Sequence, residues 1–406
     1  MKKSLTMMVI LVFTSISYAQ QPWYATNFNY GGHVYALITA NDGSIIAGKD
    51  DKVFRSIDSG LTWIQMASNL NESINCFTKK TSNGYLFAGT ATGAGNPNGG
   101  VYRSINNGIN WTGPLLPNIR ISSMTVNSNG VIFTGSNGSA STGIRRSIDN
   151  GVSWSTSGLE TYDIYTLASD NNGTVYAGTG NDGAIFKSTD NGQSWIQIHY
   201  WGPATSVRTV AVNDLGVLFA VISTGDLNVS YDGGITWQTK ISNIDFYDSA
   251  PIKIFSNQIA FLGTYGEGVY QTTNGGANWV QINTGLTNLY IHSLTIDNNN
   301  SVYAGSINLI FKNDSIIPLP IPTNTQNFLL EQTFNLYPNP ASDKIEVESI
   351  NIACIEILNL QGLIIQKSYT PKTNTTFDIS NLSSGVYIIK AITEKGIIIT
   401  KNFIKQ

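Results

Sequence analysis

An all-β chain is predicted, a seven-bladed β-propeller followed by a small β-sandwich, and three observations predict it. Six tryptophans, Trp63, Trp111, Trp154, Trp195, Trp237 and Trp279, recur at spacings of 48, 43, 41, 42 and 42 residues. A period near forty is the mark of a repeat architecture. Within each period, short alternating apolar runs such as "HVYALITA", "SIIAGK" and "VFRSID" are separated by Asn, Asp and Gly turns, the pattern of hairpin-linked strands. Four such strands per forty residues make one propeller blade. The composition agrees: only 12% of the 406 residues are charged, and 39 are glycine.

Taken from the N-terminus, Lys2 and Lys3, an apolar run over 7–16 and "SYA" before Gln20 read as an export signal over 1–19. That run is too short to span a membrane, and no later segment has eighteen uninterrupted apolar residues, so no transmembrane span is expected. The propeller is assigned to 20–314. After Trp279, residues 291–314 supply three strands of a seventh unit without its tryptophan strand. Trp23 lies eleven residues before Val34, as Trp63 lies eleven before Ile74, so the N-terminal strand is expected to complete the last blade and close the ring. A proline-containing linker is expected over 315–332, and a sandwich of short strands over 333–406.

The repeated phrase has the form S-x-D-x-G-x-x-W. Its glycine suits a backbone angle that other residues resist, and its acid accepts hydrogen bonds from the turn's own amides. Asn replaces Asp twice, at Asn106 and Asn274. A catalytic carboxylate does not tolerate that exchange, so Asp58, Asn106, Asp149, Asp190, Asp232 and Asn274 are read as scaffold. The six stretches resemble the Asp-box (BNR) repeats of sialidase-like propellers, also found in xyloglucanases, sortilin-type receptor domains and a photosystem assembly factor. Enzymes and pure binders share that fold, so the resemblance implies architecture rather than activity.

In the C-terminal segment, Leu336, Tyr337, Pro338, Asn339 and Pro340, then "EILNLQG" at 356–362 and "ISNLSSGVYIIK" at 379–390, ending in Lys401 and Phe403, resemble the type A sorting domain of the type IX secretion system. This implies the secretion machinery as a partner, and a protein released from, or attached to, the outer surface of a Gram-negative bacterium.

Several functions are excluded or disfavoured. A net charge of −3 with no basic block gives no support for nucleic acid. Three histidines and two distant cysteines, Cys76 and Cys354, assemble no metal site, and no cofactor is expected. Sialidases clamp a carboxylate with three arginines; here Arg55, Arg103, Arg145 and Arg146 precede the box turns, leaving Arg120 and Arg208. Function is expected on the opposite face, built by the loops between second and third strands and between successive blades. Aromatic rings beside carboxylates there suit a glycan or protein ligand. The candidate ligand-binding residues are His199, Tyr200, Trp201, Arg208, Tyr247 and Tyr265, with packing of the loop as the competing role for Tyr200 and Trp201. The alternative is a xyloglucanase-like glycoside hydrolase using two of Asp163, Asp245, Asp248 and Glu267.

Overall fold

The computed structural model describes residues 22–66, 70, 72–91, 98–138, 143–246, 250–314, 335–348, 352–359, 364–369, 374–393 and 398–406. The expected signal (1–19), the expected linker (315–332), Tyr247 and Asp248 lie outside them. The chain divides into two compact units, residues 1–319 and 320–406.

The first unit is a seven-bladed propeller. Blade 1 runs Val34–Thr39, Ile45–Lys49, Lys52–Ser56, Ile64–Gln65, each strand antiparallel to the one before. The innermost strands of blades 2 to 7 are Ile74–Lys80, Ile121–Val126, Ile164–Ser169, Val207–Val212, Ile252–Ile254 and Ile291–Ile296. Consecutive innermost strands touch, and that of blade 7 touches that of blade 1, so the circle closes. In blade 2 the fourth strand is reduced to one bridge, Arg103 to Thr112.

Blade 7 takes its fourth strand from the start of the chain. Tyr24 pairs with Lys312 and Ala25 with Phe311. Trp23, 2% exposed, anchors the strand: its indole Nε1 donates to the Ile282 carbonyl at 2.6 Å, and its amide to that of Thr284 at 2.7 Å.

The second strands, such as "IIAGK" and "VYAGT", are buried along their whole length because neighbouring blades cover both faces. Their recurrent glycine has a packing cause. A Cβ on Gly48, Gly89, Gly135 or Gly263 would fall 2.5–2.8 Å from Ile74, Ile121, Ile164 or Ile291, the first apolar residue of the next blade. Blade 5 carries Val221 at this place, and the small Ala250 packs in the same cluster.

The six tryptophan turns share one hydrogen-bond pattern. In the first, Ser56 Oγ donates to Asp58, Gly60 N donates back to Ser56 Oγ, and Thr62 N donates to Asp58 Oδ1 (2.9, 2.8 and 2.8 Å). The second carboxylate oxygen takes the Thr62 hydroxyl at 2.5 Å. Ser153, Ser194 and Thr236 repeat this hydroxyl contact with Asp149, Asp190 and Asp232. Where the acid is an amide, Asn106 or Asn274, the hydroxyl residue is replaced by Asn110 or Asn278 and only the amide contact remains. The exchange is paired because an amide nitrogen cannot accept the hydroxyl's proton. These contacts hold the acids ionised: the Ser153 hydroxyl first, then its amide and Ser147, pull Asp149 down to about 2, and the Ser194 hydroxyl leads the same effect on Asp190. All four aspartates are spent within their own turns.

The second unit packs a three-stranded sheet (Asn335–Tyr337, Lys344–Glu348, Asn374–Asp378) on a four-stranded one (Ile352–Leu358, Ile364–Tyr369, Gly385–Thr393, Ile398–Lys405). Ile345, Val347, Ile355, Ile357, Phe377, Ile389 and Phe403 fill the space between them. Asn339 explains part of its motif: its side-chain oxygen accepts from the amide of Ile404 at 3.0 Å, tying the first loop to the last strand. Glu356 is buried between Lys367 (2.6 Å) and Lys390 (2.9 Å).

Candidate functional site

The loop face differs from the turn face through a repeated irregularity. Just after its first apolar residue, the innermost strand bulges in six blades, at Tyr35, Asn75, Ser122, Tyr165, Arg208 and His292. A bulge re-aims the extra side chain out of the regular alternation. Each extra residue reaches a neighbouring blade: Asn75 donates to the Ile121 carbonyl, Ser122 to that of Ile164, and the Arg208 guanidinium sits 5.5 Å from the Tyr165 ring centre. The result is a belt of polar and aromatic side chains at one end of the channel.

Beside this belt a cleft of about 490 Å³ opens between the loops of blade 5 and the connection leading to blade 6, lined by Arg208, Ser223, Thr224, Asn243, Ile244 and Asp245. Its two loops are stitched together by the Ile244 amide donating to Gly225 at 3.0 Å. Gly225 is required there: its φ is +90° and a Cβ would lie 2.7 Å from the Ile244 carbonyl oxygen. Arg208 Nε is buried and has no partner among the described residues. Asp245 is exposed, and its backbone carbonyl receives the Tyr265 amide at 3.0 Å, linking the cleft to blade 6. A cation and an anion thus flank one recess without being ion-paired to each other.

Next to it, across the junction of blades 6, 7 and 1, lies an aromatic group. Tyr265 meets Tyr290 edge to face at 4.6 Å and His292 at 6.0 Å. His292 in turn contacts Tyr35 at 5.2 Å and shares a 3.2 Å nitrogen contact with His33, which stacks on Tyr35 at 5.3 Å. His33, Tyr35 and His292 were not foreseen from the sequence. The signal that marks two of them is the bulge position, one residue past the first apolar residue of an innermost strand.

The remaining foreseen residues separate. His199, Tyr200 and Trp201 lie on and just after the outermost strand of blade 4, Ile196–Tyr200, rather than on the belt. Trp201 packs edge to face against Trp237 at 5.1 Å and against His199 at 4.2 Å. Burial there lowers the His199 pKa. Tyr200 alone projects outward, 51% exposed. Asp163 accepts from the Gly138 amide at 2.8 Å. Glu267 accepts the Tyr270 hydroxyl at 2.5 Å and Gln281 at 3.4 Å. Burial, then the Glu267 contact, push Tyr270 up to about 12. Among the described residues no group of three His, Cys, Asp or Glu side chains is arranged to hold a metal. A second recess, about 330 Å³, lies on the turn face between Tyr24, Thr26, Asp58 and Lys312, but Lys312 pairs with Asp314 at 2.6 Å and Asp58 is held in its turn.

Residues 335–406 match the secretion system C-terminal sorting domain. This domain marks cargo of the type IX system, exported to the cell surface or beyond it, and no helix among the described residues is long and apolar enough to cross a membrane. No curated protein sequence matches the chain. Among solved structures, the fold is similar to YCF48 bound to D1 peptide (12% identity, 74% of this chain and 98% of that one, TM-score 0.57). It is also similar to the GH74 xyloglucanase of Xanthomonas campestris (17%, 82% and 60%, TM-score 0.57). A third is the extracellular domain of a putative hybrid two component system of B. thetaiotaomicron (13%, 95% and 57%, TM-score 0.58). At these identities the likeness is one of fold, and the chain spans only about three fifths of the latter two.

Proposed function

We propose that this exported propeller is a binding protein without chemistry of its own, recognising a glycan or protein through the loops of blades 4 to 6 opposite the tryptophan turns. We read those turns as Asp-boxes, 1–19 as a removable signal and 315–332 as a linker to the sorting domain. One observation carries the functional reading: the Arg208 and Asp245 side chains line a shared cleft with neither bound to the other. An unpaired donor fork and an acceptor beside hydroxyls and the Tyr165 ring suit a polyhydroxylated or peptide ligand. The bond-cleaving alternative needs two carboxylates flanking a bond, and Asp163 and Glu267 are engaged by donors of the fold.

The test is an array of plant and host glycans and surface peptides probed with the propeller, alongside Arg208→Met and Asp245→Asn. Loss of a charged hydrogen bond should weaken binding about ten- to a hundredfold with no change in melting temperature. Binding indifferent to both substitutions refutes the assignment. Release of reducing ends that stops in Asp245→Asn replaces it with a hydrolase.

A further inference from the structure

Arg55, Arg103 and Arg146 are used by the fold: Arg55 pairs with Asp42 at 2.6 Å, and the other two donate to the carbonyls of Asn150 and Asn191. Arg208, in the loop-face cleft, has no hydrogen bond or ion pair among the described residues, and its Nε is buried without an acceptor. Its place is nevertheless fixed. The bulge re-aims it, its guanidinium lies 5.5 Å from the Tyr165 ring centre, and that ring is seated on Gly180, where a Cβ would stand 2.3 Å from it. An aromatic ring attracts the cation and leaves the donors at its edge unused. A guanidinium held in a recess without a counter-charge gains most from a carboxylate, which takes two of its parallel donors at once.

The rest of the cleft limits what carries that carboxylate. The Asp245 side chain, exposed and not ion-paired, repels a bare anion and accepts from donors. Ser223 Oγ accepts the Ser206 amide at 2.9 Å, so its own proton is free to donate. Thr224 Oγ1 donates to Asp226 at 2.7 Å, so its lone pairs are free to accept. The Ile244 amide is held by Gly225 and the Gly225 amide by Ile222, at 3.0 and 3.1 Å, so they offer no strand-like pairing to a peptide. Recognition therefore falls to side-chain hydroxyls, the Asn243 amide and two opposite charges. A ring with a carboxylate on one edge and hydroxyls on the other satisfies them together.

Building on the cleft as the binding site, we propose that it selects a sugar acid: the carboxylate of a hexuronate unit sits on the Arg208 guanidinium, and its ring hydroxyls donate to Asp245 and meet Ser223 and Thr224. Tyr165 is a positioning residue that holds the guanidinium for it.

The test uses the full chain with oligogalacturonate and oligomannuronate of defined length, each beside its fully methyl-esterified form, by calorimetric titration at constant ionic strength. Esterification retains the hydroxyls and removes the charge. An acid oligomer should bind wild type about ten- to a hundredfold more tightly than its ester, and the preference should shrink as salt rises. Arg208→Met should weaken the acid far more than the ester and erase the preference, whereas Asp245→Asn should weaken both forms. Tyr165→Phe, which leaves a ring beside the cation, should retain the preference, and Tyr165→Leu should reduce it; melting temperatures check that each variant is folded. Acid and ester bound alike, both weakened by Asp245→Asn, overturn the sugar acid and leave the cleft standing as a binding site. A preference that survives Arg208→Met overturns it as well. If neither form binds, the sugar acid falls alone, because the wider array still reads the cleft. A short peptide whose free C-terminal carboxylate binds where the uronates do not overturns it in favour of a protein end.

Discussion

Closure of the ring rests on a strand of two residues, Tyr24–Ala25, so Trp23 must carry most of the seam. Replacing it tests this directly. Truncating a buried tryptophan to alanine costs about 3–5 kcal/mol, and the Nε1 bond to Ile282 adds about 1 kcal/mol while stranding a buried carbonyl. Against a total stability of roughly 5–15 kcal/mol, Trp23→Ala removes a large fraction. For a unit of this size the melting temperature should fall by about 8–24 °C, at roughly 2–4 °C per kcal/mol. Trp23→Phe, which retains much of the ring surface, should cost about 1–3 kcal/mol.

A second substitution attacks the same seam from the other side. Gly285 has φ +89°, and a Cβ there would stand 2.0 Å from the Trp23 carbonyl oxygen, so Gly285→Ala must displace the closing strand. Because both changes break one contact, their costs should add to clearly less than the sum. Trp154→Ala, at a partly exposed ring, is the control and should cost less. Urea unfolding followed by tryptophan fluorescence and by limited proteolysis reads all of these. An unchanged midpoint in Trp23→Ala would refute closure by this strand as a source of stability.

Four further outcomes are expected. The turn aspartates have depressed pKa values, so the stability they give is complete above their ordinary value near 3.8 and is lost as pH falls toward about 2; a melting series from pH 5 to 2 should show that slope, and Asp149→Asn should flatten it. At pH 7, Asp149→Asn should cost about 1 kcal/mol, and Asp149→Asn with Ser153→Asn should regain part of it by copying the Asn106 and Asn110 arrangement; a double variant no better than the single one contradicts the paired exchange. Ser59 alone fills the left-handed place before the turn glycine with neither Asn nor Gly (φ 59°), so Ser59→Gly or Ser59→Asn should stabilise by about 0.5–1 kcal/mol in thermal melts. In the sorting domain, Glu356→Ala strands the ammonium of Lys390, which is 6% exposed, and should cost about 3–5 kcal/mol by denaturant titration; a neutral result would mean that Lys390 escapes to solvent.

What could be read from sequence alone is what the chain repeats. The tryptophan turn is specified within eight residues, so each copy announces itself, and even the missing seventh strand is visible as a fragment at the other end. The belt is different, because it exists only once strand register and ring order are set. No local pattern says that the residue after Val207 leaves the ladder while the one after Val210 does not. The most suggestive run, His199 to Trp201, shows the reverse failure. Three adjacent polar-tipped rings look like one platform, but strand alternation places His199 and Trp201 together against Trp237 and sends Tyr200 the other way. Arg208 and Asp245 were recognisable singly as charges on a loop face; that they line one cleft depends on Gly225 letting two backbones approach. In a ring of similar blades, departures from the repeat therefore carry the functional information.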